Sequence, residues 1–331
     1  MLIAVQGFKM LYDKNVLLMC RPNHYTISGP DGNGNFANDF AKIYYEEYKK
    51  DPKALLNRAT RQWMGYKIIL EYYGATIIEL EPKEGCGDQV FTADPTLSLV
   101  GPDGAVTITS KFSNTERQIE VPYSVDIVQT LFPDRKIVNA EYNTEGTGDN
   151  YYDPFRDLFW SGYTENPGRR NAAAGRSDIN AHRYLESITG VRVIDMAVKE
   201  PFFHVDTCMA PLQMGHIIAY KKGMQPEAYE KLLEEGFARY KMKPEDYLIS
   251  VSDEDAIKYA CNVRCIGDNT LIMPMVSDEL QRTLTLKGYK VICSDVSEFI
   301  KDGGAMHCLT NNLNEQRIPG GTCVKFGFKA R

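Results

Sequence analysis

The sequence predicts an α/β protein folded as a single domain over residues 1–331, on three observations. Short apolar runs rich in strand-forming residues recur along the chain. Amphipathic stretches with recognisable caps lie between several of them. No linker divides one part of the chain from another.

The strand-forming runs are, in order, NVLLMC (15–20), ATIIEL (75–80), AVTITSKF (105–112), KIVNAEY (136–142), LFWSGYT (158–164), VRVIDMAV (191–198), HIIAYKK (216–222), YLISVS (247–252), TLIMP (270–274) and YKVICSDV (289–296). The spacing of apolar positions predicts a helix over 51–74, stopped by Gly74. A second, over 177–190, opens on a Ser-Asp cap and closes on Gly190. A third, over 224–241, carries Pro226 in its first turn and an apolar stripe. A fourth, over 277–290, is capped at its start and runs directly into a strand. The Gly- and Pro-rich stretches 29–35, 101–104, 145–154 and 165–175 read as local loops. No sequence repeat is present, yet βαβ-like units recur at similar intervals, which favours one domain built from such units.

Composition narrows the class of function. Hydrophobic residues make up 43% and charged residues 25%, the balance of a soluble globular protein. A chain of 331 residues buries a substantial core without disulfide staples. Net charge is −6 with no basic block, which argues against a nucleic-acid partner held by phosphate contacts. VLLMC (16–20) and VRVIDMAV (191–198) are too short to span a bilayer, so no membrane partner is expected. The N-terminal MLIAVQGFKMLYDK lacks the basic, apolar and small-residue regions of an export signal, and a cytoplasmic protein is expected. The eight cysteines are therefore read as reduced thiols. Cys261 and Cys265 form a C-x3-C pair with no second pair at zinc spacing, and no metal or other cofactor is expected. Self-association is left open.

Four stretches carry residues suited to chemistry. In KDGGAMHCLTNN (301–312), Cys308 follows two glycines that could bring backbone amides near its thiol. His307 precedes it directly and, in an extended segment, would point the other way. The plainer reading of Cys308 is a small buried hydrophobe. In EPFFHVDTCMAPL (200–212), an extended 202–208 would set His204, Asp206 and Cys208 on one face. His204 could then move protons beside Asp206, or be a core histidine near an edge carboxylate. AEYNTEGTGDNYYD (140–153) sets Glu145 and Asp149 in a glycine-broken turn, otherwise a solvated acidic loop. GDQVFTADPTLSLV (87–100) holds Asp88 and Asp94, the latter in an Asp-Pro turn. Several carboxylates beside one thiol and one histidine suit a planar cation. Guanidinium, with five N–H donors, is held best by paired carboxylates.

The ordered segments MCRPNHY (19–25), VFTADP (90–95), EGTGD (145–149), LFWSGYT (158–164), FHVDTCMAPL (203–212) and GGAMHCLT (303–310) resemble the guanidine-modifying superfamily. Its members include arginine deiminases, arginine dihydrolases, amidinotransferases, agmatine deiminases and dimethylarginine hydrolases. The resemblance covers about residues 15–312 and is greatest to bacterial arginine dihydrolases. It implies a five-bladed α/β propeller (the pentein fold) with pseudo-fivefold symmetry. It also implies a cysteine-dependent hydrolase of L-arginine or a close relative, working through a covalent thiouronium. An amidinotransferase, a dihydrolase giving ornithine, and a catalytically dead guanidine-binding protein are the alternatives.

Carried over position by position, the resemblance makes Cys308 the nucleophile and His204 the general acid and then base. Glu145 matches the acidic residue of an E-G-G-D turn, with Thr147 replacing the second glycine. Asp206 matches the Asp of H-x-D, and Asp94 the Asp of an FTRD-like motif; both would hold guanidinium nitrogens. Dihydrolases carry Asn where this chain has Asp94, which favours a single C–N cleavage or an amidino transfer. Dimethylarginine hydrolases read H-L-K where this chain reads His204-Val205-Asp206. Arg169 or Arg170 would grip a substrate carboxylate. Asp88 would face an α-ammonium, with Asn38 lining the same pocket. The segment TISGPDGNGNFANDF (26–40) departs from the INPWM-like segment of the dihydrolases.

Overall fold

The computed structural model describes residues 15–32, 34–163, 176–235, 243–267 and 269–321. Each of the ten runs read as strands contains one, in the pairing that α/β units require. Strand β1 (Val16–Cys20) pairs in parallel with β2 (Thr76–Leu80). Strand β3 (Thr96–Gly101) runs antiparallel to β4 (Gly104–Thr109), which pairs in parallel with β5 (Lys136–Val138). The same unit recurs as β6 (Asn150–Asp153), β7 (Leu158–Tyr163) and β8 (Arg192–Ala197). It recurs again as β9 (Met209–Pro211), β10 (Ile217–Ala219) and β11 (Leu248–Ser250). The last full copy is β12 (Arg264–Ile266), β13 (Thr270–Met273) and β14 (Lys290–Cys293). Finally β15 (Asn311–Asn312) returns antiparallel to β1 and completes the first sheet with residues from the far end of the chain.

Five three-stranded sheets result, the blades of a five-bladed α/β propeller. Each antiparallel pair within a continuous blade needs only a short hairpin, whereas each parallel pair needs a crossover. Helices supply the crossovers: Asp39–Lys50 and Pro52–Tyr72, then Val121–Leu131, Ile179–Thr189, Pro226–Glu234 and Asp278–Leu286. The predicted helix starts are capped as expected: Ser277 accepts from Leu280 N, and Asp178 from Asn180 N. The helices Asp39–Lys50 and Val121–Leu131 were not anticipated from the sequence. The third predicted helix is described only to Glu235, and 236–242 lie outside the described residues.

Central strand β1 is buried along its whole length, which is why it reads as an unbroken apolar run and not as an alternation. The helix Pro52–Tyr72 turns Leu55, Ala59, Trp63, Tyr66 and Leu70 inward at helical spacing. Its Tyr66 hydroxyl donates to Met306 O at 2.8 Å, tying this helix to the segment that bears Cys308. Trp63 is fully buried in the largest apolar cluster. Trp63→Ala is expected to lower unfolding stability by about 3–5 kcal/mol, read as a shifted denaturant midpoint at unchanged slope.

Candidate functional site

The residues singled out for chemistry sit just before the antiparallel strand of each blade. Asp94 precedes β3, Glu145 and Asp149 precede β6, His204 and Asp206 precede β9, and Cys308 precedes β15. The remaining blade contributes Asn262, two residues before β12, which sequence reasoning missed. These five segments are hydrogen-bonded in a closed ring. Ala93 N donates to Cys308 O (3.2 Å) and Thr147 N to Ala93 O (2.9 Å). Val205 N donates to Asp149 Oδ1 (3.3 Å), Asn262 Nδ2 to Asp206 O (3.4 Å) and Cys308 N to Asn262 Oδ1 (3.1 Å). Residues up to 215 positions apart in sequence are thereby brought to one centre.

The local backbone differs from two expectations. Residues 202–208 are not extended: Val205–Cys208 form a helical turn. His204 and Asp206 therefore do not share a face with Cys208, whose thiol is buried and donates to Val205 O at 3.5 Å. Residues 305–309 also turn, with Leu309 N donating to Ala305 O at 3.0 Å. His307 consequently does not point away from Cys308. His307 Nδ1 lies 2.8 Å, and Cys308 Sγ 3.4 Å, from the same oxygen, Asp206 Oδ2. The ring of His307 stacks on Tyr151 with centroids 4.3 Å apart. The amides of Gly303 and Gly304 do not serve the thiol; they donate to Ile300 O and Phe299 O. Gly303 has φ +89°, and a Cβ there would lie 2.8 Å from the Phe203 ring, so the close turn needs glycine.

His204 is fixed at one nitrogen and free at the other. Its Nε2 lies 2.8 Å from Glu145 Oε2, while Nδ1 faces Asp94 Oδ1 at 3.8 Å. Gly148 makes room for this pair, since a Cβ would come within 2.6 Å of Asp94 Oδ1 and 2.9 Å of His204 Nδ1. Burial acts to raise the Glu145 carboxyl, but the charges of Arg176 and His204 outweigh it and hold it at about 2. Burial acts to lower the His204 imidazole, but Asp149, Asp94 and Glu145 hold it up at about 9. The resting histidine is therefore protonated at neutral pH, with Nε2–H directed at Glu145. Burial lifts the Asp206 carboxyl to about 8, aided by Asp94 and Asp149 against the opposing charge of His204. Burial, with the charges of Asp206 and Asp94, pushes the Cys308 thiol well above its usual range.

Asp94 is held from behind by an arginine that the sequence did not flag. Arg117 Nη1 meets Asp94 Oδ2 at 2.6 Å, and its other nitrogens meet Glu120 at 3.0 and 2.8 Å. That leaves Asp94 Oδ1, His204 Nδ1 and Asp206 Oδ1 buried with no hydrogen-bond partner among the described residues. Unpaired buried polar atoms are costly, so three converging beside one thiol mark a place built for a hydrogen-bonding ligand. Among the described residues no group of three or more His, Cys, Asp and Glu side chains is disposed to hold a metal ion.

Further out, Asp88 accepts from Ser28 Oγ at 3.2 Å and lies 3.8 Å from Arg117 Nε. Asn38 spends both ends structurally: Oδ1 caps the helix Asp39–Lys50 at Ala41 N, and Nδ2 donates to Asp302 O at 3.0 Å. Arg169 and Arg170 lie outside the described residues. Among the described residues and besides Arg117, Arg176 reaches the centre. Its Nη1 is 3.5 Å from Glu145 Oε2, and its guanidinium packs 4.3 Å from the Phe203 ring centroid. The signal that could have found Arg117 and Arg176 is charge balance, because four or five buried carboxylates require cations nearby. Asn262 carried no such signal.

Comparison with known proteins shows the family to which this chain belongs. No family model matches the chain. It is 30% identical over 303 residues to the bifunctional arginine dihydrolase/ornithine cyclodeaminase AgrE of Nostoc sp., covering 90% of this chain and 38% of AgrE. It is 25% identical over 257 residues to the N(G),N(G)-dimethylarginine dimethylaminohydrolase of Mycobacterium tuberculosis, covering 77% of this chain and 76% of that protein. Among solved structures, the product-bound N-terminal domain of ArgZ, an arginine dihydrolase from cyanobacteria, aligns with a TM-score of 0.74 at 26% identity. That alignment covers 93% of this chain and 100% of the domain. The chain thus spans about two fifths of the length of bifunctional relatives such as AgrE.

Proposed function

Because the chain belongs to the guanidine-modifying superfamily, we propose that it is a cysteine-dependent hydrolase of a guanidino compound, L-arginine or a close relative. The observation that carries this reading is three buried polar atoms without a hydrogen-bond partner, on Asp94, His204 and Asp206, in the centre that also holds Cys308. Asp94 and Asp206 accept guanidinium N–H groups, and the cation supplies the positive charge that lets Cys308 ionise, its proton passing to solvent. Sγ then bonds to the guanidinium carbon. His204, held by Glu145 at Nε2, passes its Nδ1 proton to the departing nitrogen as the C–N bond breaks. Ammonia leaves and a thiouronium remains on Cys308. Neutral His204 next takes a proton from water as the water oxygen bonds to that carbon. Breaking the S–C bond returns its electron pair to Cys308, and loss of the hydroxyl proton, taken up at sulfur, leaves a ureido product and the thiol.

Among the described residues, Arg176 is the arginine assigned to meet a substrate carboxylate, and Asp88 the carboxylate to meet an ammonium; Arg169 and Arg170, the arginines the resemblance implies, lie outside those residues. No helix among the described residues is long and apolar enough to cross a membrane.

Asp94 bears on the product. A second cleavage must hold a neutral urea, whose carbonyl oxygen needs a donor. Asparagine offers both donor and acceptor, whereas an ionised aspartate offers only acceptors. Asp94 therefore favours stopping after one cleavage. The names of the relatives favour a second reading, a dihydrolase giving ornithine. Purified protein incubated with L-arginine, with and without glycine or lysine as acceptor, separates the outcomes. Citrulline with about one equivalent of ammonia is expected. Ornithine with two equivalents makes it a dihydrolase, and a guanidino product that needs the acceptor makes it an amidinotransferase. Absence of turnover on arginine, methylated arginines and agmatine would return the scaffold to a binding role.

A further inference from the structure

Four blades bring recognisable acid, base or nucleophile residues to the centre; the remaining blade, β12–β14, brings Asn262. We propose that Asn262 is a catalytic residue: its Nδ2 donates a hydrogen bond to Cys308 Sγ and stabilises the thiolate that attacks the guanidinium carbon. This rests on the reading of Cys308 as the nucleophile.

The geometry leaves the carboxamide one orientation. Asn262 is fully buried. Its Oδ1 accepts from two backbone donors, His307 N at 2.9 Å and Cys308 N at 3.1 Å. Turning the amide over would set its NH2 against both donors, so the NH2 must face the other way. There it meets Cys308 Sγ at 3.1 Å and Asp206 O at 3.4 Å. The backbone enforces the placement. Tyr259 takes φ +61°, rare for a bulky residue, and its carbonyl accepts from Asn262 N at 2.9 Å. Strain of this kind persists where the surroundings over-determine it, and here it delivers one side chain to one sulfur.

The electrostatics give the hydrogen bond a purpose. Asp206 and Asp94 face the thiol from two blades, and both oppose its ionisation. The phenols of Tyr66 and Tyr259 also lie near it. Among the described residues, Asn262 Nδ2 is the only side-chain donor hydrogen-bonded to Sγ. A bound guanidinium cancels the carboxylate charges. The Asn262 bond then strengthens as charge gathers on sulfur, which is the condition for lowering a barrier and not merely holding a ground state.

The test follows alkylation of Cys308 by 2-chloroacetamidine, whose amidinium stands in for the substrate cation. Rates are measured against pH, and the labelled residue is identified by mass spectrometry. Wild type is compared with Asn262→Ala and Asn262→Asp, each checked by circular dichroism. The aspartate keeps an oxygen for the two backbone donors and removes the donor to sulfur. In both variants the pH midpoint of alkylation is expected to rise by about one to two units. The rate at neutral pH and kcat should fall about ten- to hundredfold, with KM nearly unchanged. An Asn262→Asp protein that behaves as wild type while Asn262→Ala is impaired would mean that Asn262 only shapes the loop, and would overturn the proposal. Unchanged midpoints in both variants would also overturn it, while labelling at Cys308 kept the nucleophile assignment. Absence of labelling at Cys308 in the wild type would sink both.

Discussion

Cys308→Ala is expected to abolish turnover, with a loss in kcat on the order of 10^4-fold or more, while the protein stays folded. The residue is 3% exposed, and its thiol makes two side-chain hydrogen bonds, with Asp206 and Asn262. Alanine fills most of its volume, and both partners keep their other bonds, Asp206 to His307 and Asn262 to the backbone. The backbone ring through Cys308 N and O needs no sulfur. The variant should therefore melt close to wild type and still bind arginine, which calorimetry would show. Turnover retained by a correctly folded Cys308→Ala protein would remove the covalent mechanism.

His204→Gln should cost about 10^2- to 10^4-fold in kcat/KM and change the shape of the pH profile. Two groups set that profile in the free enzyme. Asp206 must be ionised to hold the cation, and burial with its carboxylate neighbours places it at about 8, so activity rises as pH climbs toward that value. His204 must be protonated to serve as acid. Its carboxylate neighbours outweigh burial and hold it at about 9, so activity falls above that value. The wild type should give a narrow bell on the alkaline side of neutrality. Glutamine can keep a hydrogen bond to Glu145 but has no proton to lose, so the alkaline limb attributed to His204 should vanish. A wild-type profile flat between pH 7 and 10, or a variant retaining the same alkaline limb, would refute this assignment of the acid.

The propeller was legible where its signals were local. The ten strands that pair in parallel are apolar runs of usable length, and the predicted helices between them carry caps within a few residues of their ends. The antiparallel strand of each blade was not assigned. β9 reads Met-Ala-Pro and β15 only Asn-Asn, too short to show a period. They are strands because of neighbours elsewhere in the chain: Leu17 opposite Asn312, and Ile218 opposite Ala210. The fivefold arrangement was reached through motif resemblance for the same reason.

Acids, a base and a thiol announce themselves by residue type, so Asp94, Glu145, His204, Asp206 and Cys308 could be named from the sequence. Residue type alone did not distribute their roles; those came through the motif resemblance, and the closed ring supplies the geometry behind them. Asp94 needs Arg117 behind it to leave one oxygen free, and His204 needs Glu145 to free one nitrogen. The extended geometry assumed for 202–208 and around His307 failed because helical turns, held by long-range bonds, win over local alternation there. Asn262 was invisible, since an asparagine in a turn is ordinary and only a sulfur 46 residues away makes it otherwise. The sequence by itself determined which chemical groups were available and where the chain would form regular elements, because both are written within a few residues. Tertiary structure alone decided which groups face one another, because each of those contacts depends on closing five blades through hydrogen bonds between distant segments.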